Sequence, residues 1–463
     1  MTPIGGPGKR TDKRTFDSEG RRPPGLDDTI GRGHFGQPRT IRLRLKYAHG
    51  PRTSRLRPLG NLLRHTDHRH AMNERITLVT NMIDKVGGLE RYVDELATRL
   101  VPREFSVTII AKRPSPGPLT VEQRLDGVTV VRTWVPTKRL PWFALEYAVG
   151  IPYVSHREIR RHGRGSIIHG HFFAPMLGPA LQALDYIYTF HGPVYQELLD
   201  ERQDTYFLPS RGHKAAVELT KRAERFVINK ARSVTVLSEF MRDKVDELGA
   251  HPRHSIVLPG GVDTSRFAPG VSARPAWAEA ASPLLLCARR LAKGKGVLEL
   301  VQAMPWVLKQ LPRAMLVIAG SGAEKVIIEQ QVEQLRLGRS VHLVGDVSGA
   351  DLVNWMRTAD LCVVPTQRPE PFGLVTVEAL ACGTPVMATP GGASRRLLGS
   401  LDRRLIFAGI APQDLASGIC EAAKDQAFLL RIAERARKHV HPRYSWDHVA
   451  DRWAAEYRGF GKG

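Results

Sequence analysis

The sequence predicts an α/β protein built from two doubly wound, Rossmann-like domains facing a cleft. Short Val- and Ile-rich runs of strand length alternate with segments of helical period, the signature of parallel βαβ units. The alternation comes in two runs, joined near residues 259–283. At 463 residues the chain is long enough for two domains of ordinary size. Hydrophobic residues at 42% and charged residues at 25% are the balance of a globular protein. No apolar run reaches transmembrane length, and the start of the chain lacks the apolar core of a signal peptide. Cys287, Cys362, Cys382 and Cys420 have no metal-like spacing and read as small core residues in a reducing cytosol.

The formal net charge of +22 is unevenly spread. Residues 1–71 carry 16 Lys or Arg against 6 Asp or Glu, and have neither a helical nor a strand period. Rich in Arg, Pro, Gly and His, this stretch cannot offset its ordering entropy. It is expected to be a disordered basic extension or an over-long start, with folding from Met72. Without interleaved aromatics it does not read as a nucleic-acid-binding arm. The expected division is then 72–265 for the first domain, 266–441 for the second, and 442–463 for a C-terminal helix crossing back to the first.

The first predicted strand, 76–80, leads into Gly87-Gly88-Leu89-Glu90-Arg91 and an amphipathic helix to about Leu100. A glycine pair between strand and helix lets backbone approach a phosphate, although it also serves as a plain tight turn. Strands follow at 106–111 and 128–132. The strand 167–169 runs into Gly170-His171, and 186–190 into His191-Gly192-Pro193. His169, His171 and His191 each close a strand at its carboxyl end, the side on which open α/β sheets bind ligands. A long basic helix over 214–229, a strand over 233–237 ending in Ser238-Glu239, and a strand over 256–258 complete this run. It exits through Pro259-Gly260-Gly261-Val262-Asp263.

The second run opens with a strand at 284–288, then Arg289-Arg290-Leu291-Ala292-Lys293-Gly294-Lys295-Gly296 and a helix from Val297. Cations just before a helix start oppose its dipole, unless an anion sits between them. Strands at 314–319 and 341–344 end in Gly320-Ser321-Gly322 and Gly345-Asp346-Val347. A strand at 361–364 enters a loop in which two prolines flank Glu370. A helix over 373–382 follows, with Gly383 just past its end, where a left-handed cap is wanted. Strands at 385–388 and 405–407, two helices, and a last helix from Ser445-Trp446 finish the chain, Trp446 being expected to pack. Glu370 thus stands at a strand's carboxyl end, the amides of Gly373 and Leu374 at a helix N-terminus, and Glu378 on the face turned back to the same crevice. Two carboxylates beside an amide nest suit a ligand with hydroxyls at both ends and phosphate between, such as a nucleoside-diphosphate sugar. A solvated loop residue and a surface helix residue are the plain alternative.

Glu370 and Glu378, with seven residues between them and Phe372-Gly373 just after the first, resemble the signature of the GT-B retaining glycosyltransferases of family 4 (glycosyl transferases group 1). The resemblance covers residues 76 to about 458. It implies that Glu370 contacts the transferred sugar and Glu378 the ribose, with Phe372, Gly373 and Leu374 also on the donor. Arg290 and Lys295 resemble the pair that holds the diphosphate in the family's Arg-Leu…Lys-Gly motif, with Arg289 where a small Gly is usual. Gly87 and Gly88 would face the diphosphate across the cleft, and His191 would assist transfer. Gly260 replaces the Asn usual in the interdomain turn, and 320–322 and 345–347 would flank the base.

The implied activity is that of a retaining hexosyltransferase, moving a sugar from a nucleotide donor to a glycan, lipid-linked or small-molecule hydroxyl. His191, Arg290, Lys295 and Glu370 are its expected catalytic residues. The rivals are a sugar-nucleotide epimerase of the same fold and a non-catalytic nucleotide-sugar-binding protein. No cofactor is implied beyond the co-substrate. Because no Asp-x-Asp occurs in the sequence, the diphosphate is expected to be held by cations and not by a metal. Arg157, Arg160, Arg161, Arg164 and the basic helix near 221–232, with apolar residues over 142–153, suggest peripheral contact with the inner face of a membrane. The location expected is cytoplasmic, and no nucleic-acid partner is expected.

Overall fold

The computed structural model describes residues 74–83, 87–113, 117–134, 149–196 and 210–460. The expected basic extension and residues 142–148 of the apolar stretch lie outside the described residues. Strands β1 (Glu74–Val79), β2 (Phe105–Lys112), β3 (Thr120–Gln123), β4 (Thr129–Thr133), β5 (Ile167–Gly170), β6 (Ile187–Phe190), β7 (Ser233–Val236) and β8 (Ser255–Val257) form one sheet. Its order is β3-β4-β2-β1-β5-β6-β7-β8, parallel but for β3. Strands β9 (Leu284–Ala288), β10 (Met315–Ala319), β11 (Val341–Gly345), β12 (Leu361–Val364) and β13 (Val386–Ala388) form a second, parallel sheet ordered β11-β10-β9-β12-β13.

Helices α1 (Gly88–Leu100), α2 (Ile151–His162), α3 (Phe173–Leu181), α4 (Ser210–Lys230) and α5 (Glu239–Glu247) belong to the first run. Helices α6 (Val297–Gln310), α7 (Lys325–Gln334), α8 (Gly349–Thr358), α9 (Leu374–Ala381), α10 (Gly392–Gly399), α11 (Pro412–Lys424) and α12 (Gln426–Val440) belong to the second. Every residue of β9 and β12 is buried, which is why these strands read as unbroken apolar runs and not as alternation.

One strand is added and one local expectation changes. The edge strand β3 has no apolar signature, because its residues are mostly exposed. It exists because a tight turn, closed by Gly127 N–H donating to the Arg124 carbonyl, folds it back onto β4. The strand expected over 405–407 is a 3₁₀ turn, Arg403–Leu405, followed by a single bridge between Ile406 and Ala388. The Asp402 side chain accepts from Arg404 N–H and turns the chain before a ladder can form.

The last helix, α13 (Trp446–Phe460), packs on α1. Trp453 donates its indole N–H to the Tyr92 hydroxyl at 2.7 Å, and Arg103 pairs with Asp451 at 2.6 Å. Trp446, Trp453 and Tyr457 are fully buried, so Trp446 does pack. Among the described residues no helix is long and apolar enough to cross a membrane.

Candidate active site

Each sheet reverses its strand order at one place, β1/β5 in the first and β9/β12 in the second. Such switch points leave a crevice at the carboxyl ends of the strands. The β9 exit carries Arg289 to Lys295, and the β12 exit carries Glu370. The two loops are stitched together by Gln367 and Arg368 N–H groups donating to the Gly294 carbonyl at 3.0 and 3.2 Å. Close approach demands glycine at two points. Gly296 has φ +76°, and a Cβ there would lie 1.7 Å from the Pro365 carbonyl oxygen. Gly392, at φ +67°, would drive a Cβ to 2.5 Å from Glu370 N.

The centre of the crevice is ionic. Oε1 of Glu370 accepts from Nη2 of Arg289 and, at 3.2 Å, from Nζ of Lys295. The Arg289 side chain is 3% exposed and that of Glu370 16%. Burial alone would raise the Glu370 carboxyl. The Arg289 and Lys295 cations outweigh it and hold the pKa below the ordinary value. Lys295 is shifted down by burial, with Arg289 and Arg290 adding repulsion against the pull of Glu370. Arg290 is exposed and makes no ion pair among the described residues. The structure therefore gathers Lys295 with Glu370 and places Arg289, not Arg290, between them. Arg289 was visible in the sequence only as a basic residue where the motif usually has Gly.

The crevice is closed from the first domain. Gly88, at the start of α1, lies against Leu374, at the start of α9, with a Cβ on Gly88 only 3.6 Å from Leu374 Cδ1. Two helix N-termini thus meet, and neither N-cap residue, Gly87 or Gly373, supplies a side-chain cap. At α1 the Glu90 carboxylate turns back beside Gly87, while at α9 the first amides have no side-chain cap and suit an anion. Ser238 donates its hydroxyl to the Pro371 carbonyl at 2.7 Å, and Gly192 lies beside Pro371, bringing the His191 loop to the Glu370 loop. Glu378, 1% exposed, accepts from Nη2 of Arg91 in α1. Burial raises its pKa against the pull of that guanidinium. Phe372 is buried against Gly260 and the Tyr444 ring, a packing position for its side chain. Arg91 and Ser238 were not singled out from sequence, because their roles depend on the opposite domain.

The three histidines form one cluster. Nε2 of His191 and Nδ1 of His171 share a hydrogen bond at 3.0 Å. His169 contacts the Tyr457 hydroxyl at 2.6 Å and Thr189 Oγ1 at 2.7 Å, anchored by the last helix. Burial lowers all three, His191 to about 3, so the imidazoles are neutral near pH 7. Among the described residues no group of three or more His, Cys, Asp or Glu side chains could hold a metal ion.

Known proteins match both halves of the chain. The model for glycosyl transferases group 1 matches residues 274–439, and that for glycosyltransferase family 4 matches residues 86–266. An uncharacterized glycosyltransferase of Methanocaldococcus jannaschii is 33% identical over 38% of this chain and 44% of its own length. The D-inositol 3-phosphate glycosyltransferase of Pseudarthrobacter chlorophenolicus is 29% identical over 67% of this chain and 76% of its own. In fold, the sucrose-phosphate synthase of Thermosynechococcus elongatus superposes with a TM-score of 0.70 at 23% identity, covering 84% of this chain and 99% of that one. An Anabaena protein solved in complex with UDP-glucose does so at 0.64 and 17% identity, covering 83% and 99%. Fold and matches together define a glycosyltransferase of the GT-B type. The chain belongs to glycosyltransferase family 4, the two models together matching residues 86–266 and 274–439.

The histidine cluster sets a pH dependence. Below its ordinary pKa of 6.5, His191 takes up a proton in the unfolded chain but not in the native one until about pH 3. Its contribution is therefore intact above pH 6.5 and lost as pH falls, by about 2 kcal/mol at pH 5. Glu378, raised in the native state, works in the opposite direction, so a difference isolates the histidine. Between pH 7 and 5, His191→Asn should lose about 2 kcal/mol less stability than the parent in urea denaturation. Equal losses would contradict a neutral, buried His191.

Proposed function

We propose that the chain transfers a hexose-type sugar, with retention of configuration, from a nucleoside-diphosphate sugar to a hydroxyl acceptor. The observation that carries this is the meeting of two uncapped helix N-termini at Gly88 and Leu374, beside Lys295, Glu370 and Glu378. In this reading the diphosphate lies at those amides, with Lys295 beside it. Arg290, exposed and unpaired among the described residues, swings onto it from the rim. Negative charge grows on the leaving diphosphate in the transition state, and fixed cations and amides meet it without reorganising. Gly87 and Gly88 supply the amide side of this cradle and Gly373 and Leu374 the other. No divalent metal is required, consistent with a sequence that lacks Asp-x-Asp.

Glu370 accepts from sugar hydroxyls, and Glu378 exchanges Arg91 for the ribose. Glu370 is not assigned as a covalent nucleophile, since one of its oxygens is bound by two cations. Same-face attack, with the leaving phosphate taking the acceptor proton, gives retention. His191, neutral and beside the Glu370 loop, supports the transfer as a hydrogen-bonding group. The acceptor would enter from the first sheet's side. A nucleotide-sugar donor is further supported by the Anabaena neighbour's complex with UDP-glucose.

A metal-free thermal-shift panel of UDP-, GDP-, ADP- and TDP-sugars tests the donor. A ligand that binds only the native state raises the melting temperature by mass action. One nucleotide series should do so, and Lys295→Ala or Glu370→Gln should then lower turnover about 10²-fold or more. A panel with no shift would overturn the donor reading. Peripheral contact with an anionic membrane forms part of the same proposal, because Arg157, Arg160, Arg161 and Arg164 are exposed near the exposed Tyr153. Vesicles containing phosphatidylserine should bind the protein, and changing those four arginines to Gln should abolish sedimentation with them. Unchanged sedimentation would remove the membrane from the account.

A further inference from the structure

Arg289 is the most unusual charge in the second domain. It follows β9 directly, is 7% exposed, and occupies the position where the Arg-Leu…Lys-Gly motif usually has a small Gly. A buried guanidinium is unfavourable unless its donors are satisfied. Here Nη2 is satisfied by Glu370, while Nε and Nη1 are buried with no hydrogen-bond partner among the described residues. Apolar packing would avoid that cost, so stability does not account for the residue. Among the described residues its ion pair is with the carboxylate that the proposed function places on the sugar.

The geometry of that contact is asymmetric. Arg289 Nη2 and Lys295 Nζ both donate to Oε1 of Glu370, and among the described residues no hydrogen bond reaches Oε2. The Glu370 side chain keeps 16% of its surface exposed. The peptide on either side is pinned as well. The Ala393 N–H donates to the Glu370 carbonyl at 3.0 Å, and the Ser238 hydroxyl holds Pro371. We propose that Arg289 is a positioning residue for the transfer reaction: it ties down Oε1 of Glu370 and presents Oε2 alone, as a fixed carboxylate acceptor, to hydroxyls of the donor sugar. The proposal rests on reading Glu370 as the sugar-contacting residue.

Two consequences separate this role from a structural one. Glu370 stays ionised although it is largely buried, because the charges facing it are Arg289 from the end of β9 and Lys295 from the loop before α6. The α10 start offers it only backbone, and His191, across the cleft, is neutral. Removing Arg289 leaves one cation against the burial effect, and the carboxyl should then hold its proton to higher pH. A guanidinium kept only for packing would leave that titration unmoved.

The test is a carboxyl titration by NMR of the ligand-free full chain labelled with ¹³C-glutamate, the Glu370 signal being assigned by its loss in Glu370→Gln. In the parent, Glu370 should titrate below the ordinary glutamate range. In Arg289→Met its proton affinity should rise about tenfold or more, and in Arg289→Lys it should return towards the parent value. An unchanged titration in Arg289→Met overturns the proposal. Should that variant fail to fold, the parent still decides, since a Glu370 that titrates at or above the ordinary range is also incompatible with it. The readout needs no donor. A chain that binds no nucleotide sugar would sink the proposed function, yet would leave this titration to be judged separately.

Discussion

A carboxylate kept ionised within a largely buried crevice is the constraint on which the rest of the second domain depends. Glu370 would be driven towards its neutral form by burial, and only the cations on the neighbouring loop prevent this. Those cations arrive because β9 and β12 are adjacent in the sheet and both exits leave it at the switch point. The loops can touch only because Gly296 and Gly392 have no side chain at positions where any Cβ would strike backbone. Strand order, glycine placement and charge are thus one arrangement seen at three scales.

A second constraint acts across the cleft. Each domain alone would leave a polar group exposed or unpaired at the crevice. Together, α1 brings Arg91 to Glu378, and Ser238, at the start of α5, holds the Pro371 carbonyl. The last helix returns to α1 and anchors the histidine cluster through Tyr457 and Trp453. A rearrangement of the domains would therefore be felt at Glu378, at the Glu370 loop and at His191. That is the coupling a donor-driven closure would use.

Much of this was legible in the sequence, because parallel strands buried on both faces announce themselves as short apolar runs. Residues 284–288 and 361–364 are observed as strands over the same spans. The helix expected over 373–382 runs from Leu374 to Ala381, with Gly373 and Cys382 as its caps. Glu370, Lys295 and Glu378 were legible as candidates through motifs that resemble those of family 4, and the structure places Lys295 on Glu370 and buries Glu378 against Arg91. What stayed hidden was non-local. The strand β3 is polar and depends on its partner, and residues 405–407 look like a strand but make one bridge. Arg91 and Ser238 become relevant only once the opposite domain is in place. Arg289 was visible as a departure from a motif, yet nothing in a one-dimensional pattern says that it, and not Arg290, turns inward to Glu370.

The most direct measurement is a crystal structure of the chain with the intact nucleotide sugar of whichever series stabilises it. The diphosphate should lie between Lys295 and the amides at Gly88 and Leu374, the ribose on Glu378 in place of Arg91, and a sugar hydroxyl on Oε2 of Glu370. A nucleotide bound elsewhere, or one bound here with the Arg91–Glu378 pair intact and Oε2 turned away from the sugar, would contradict this placement.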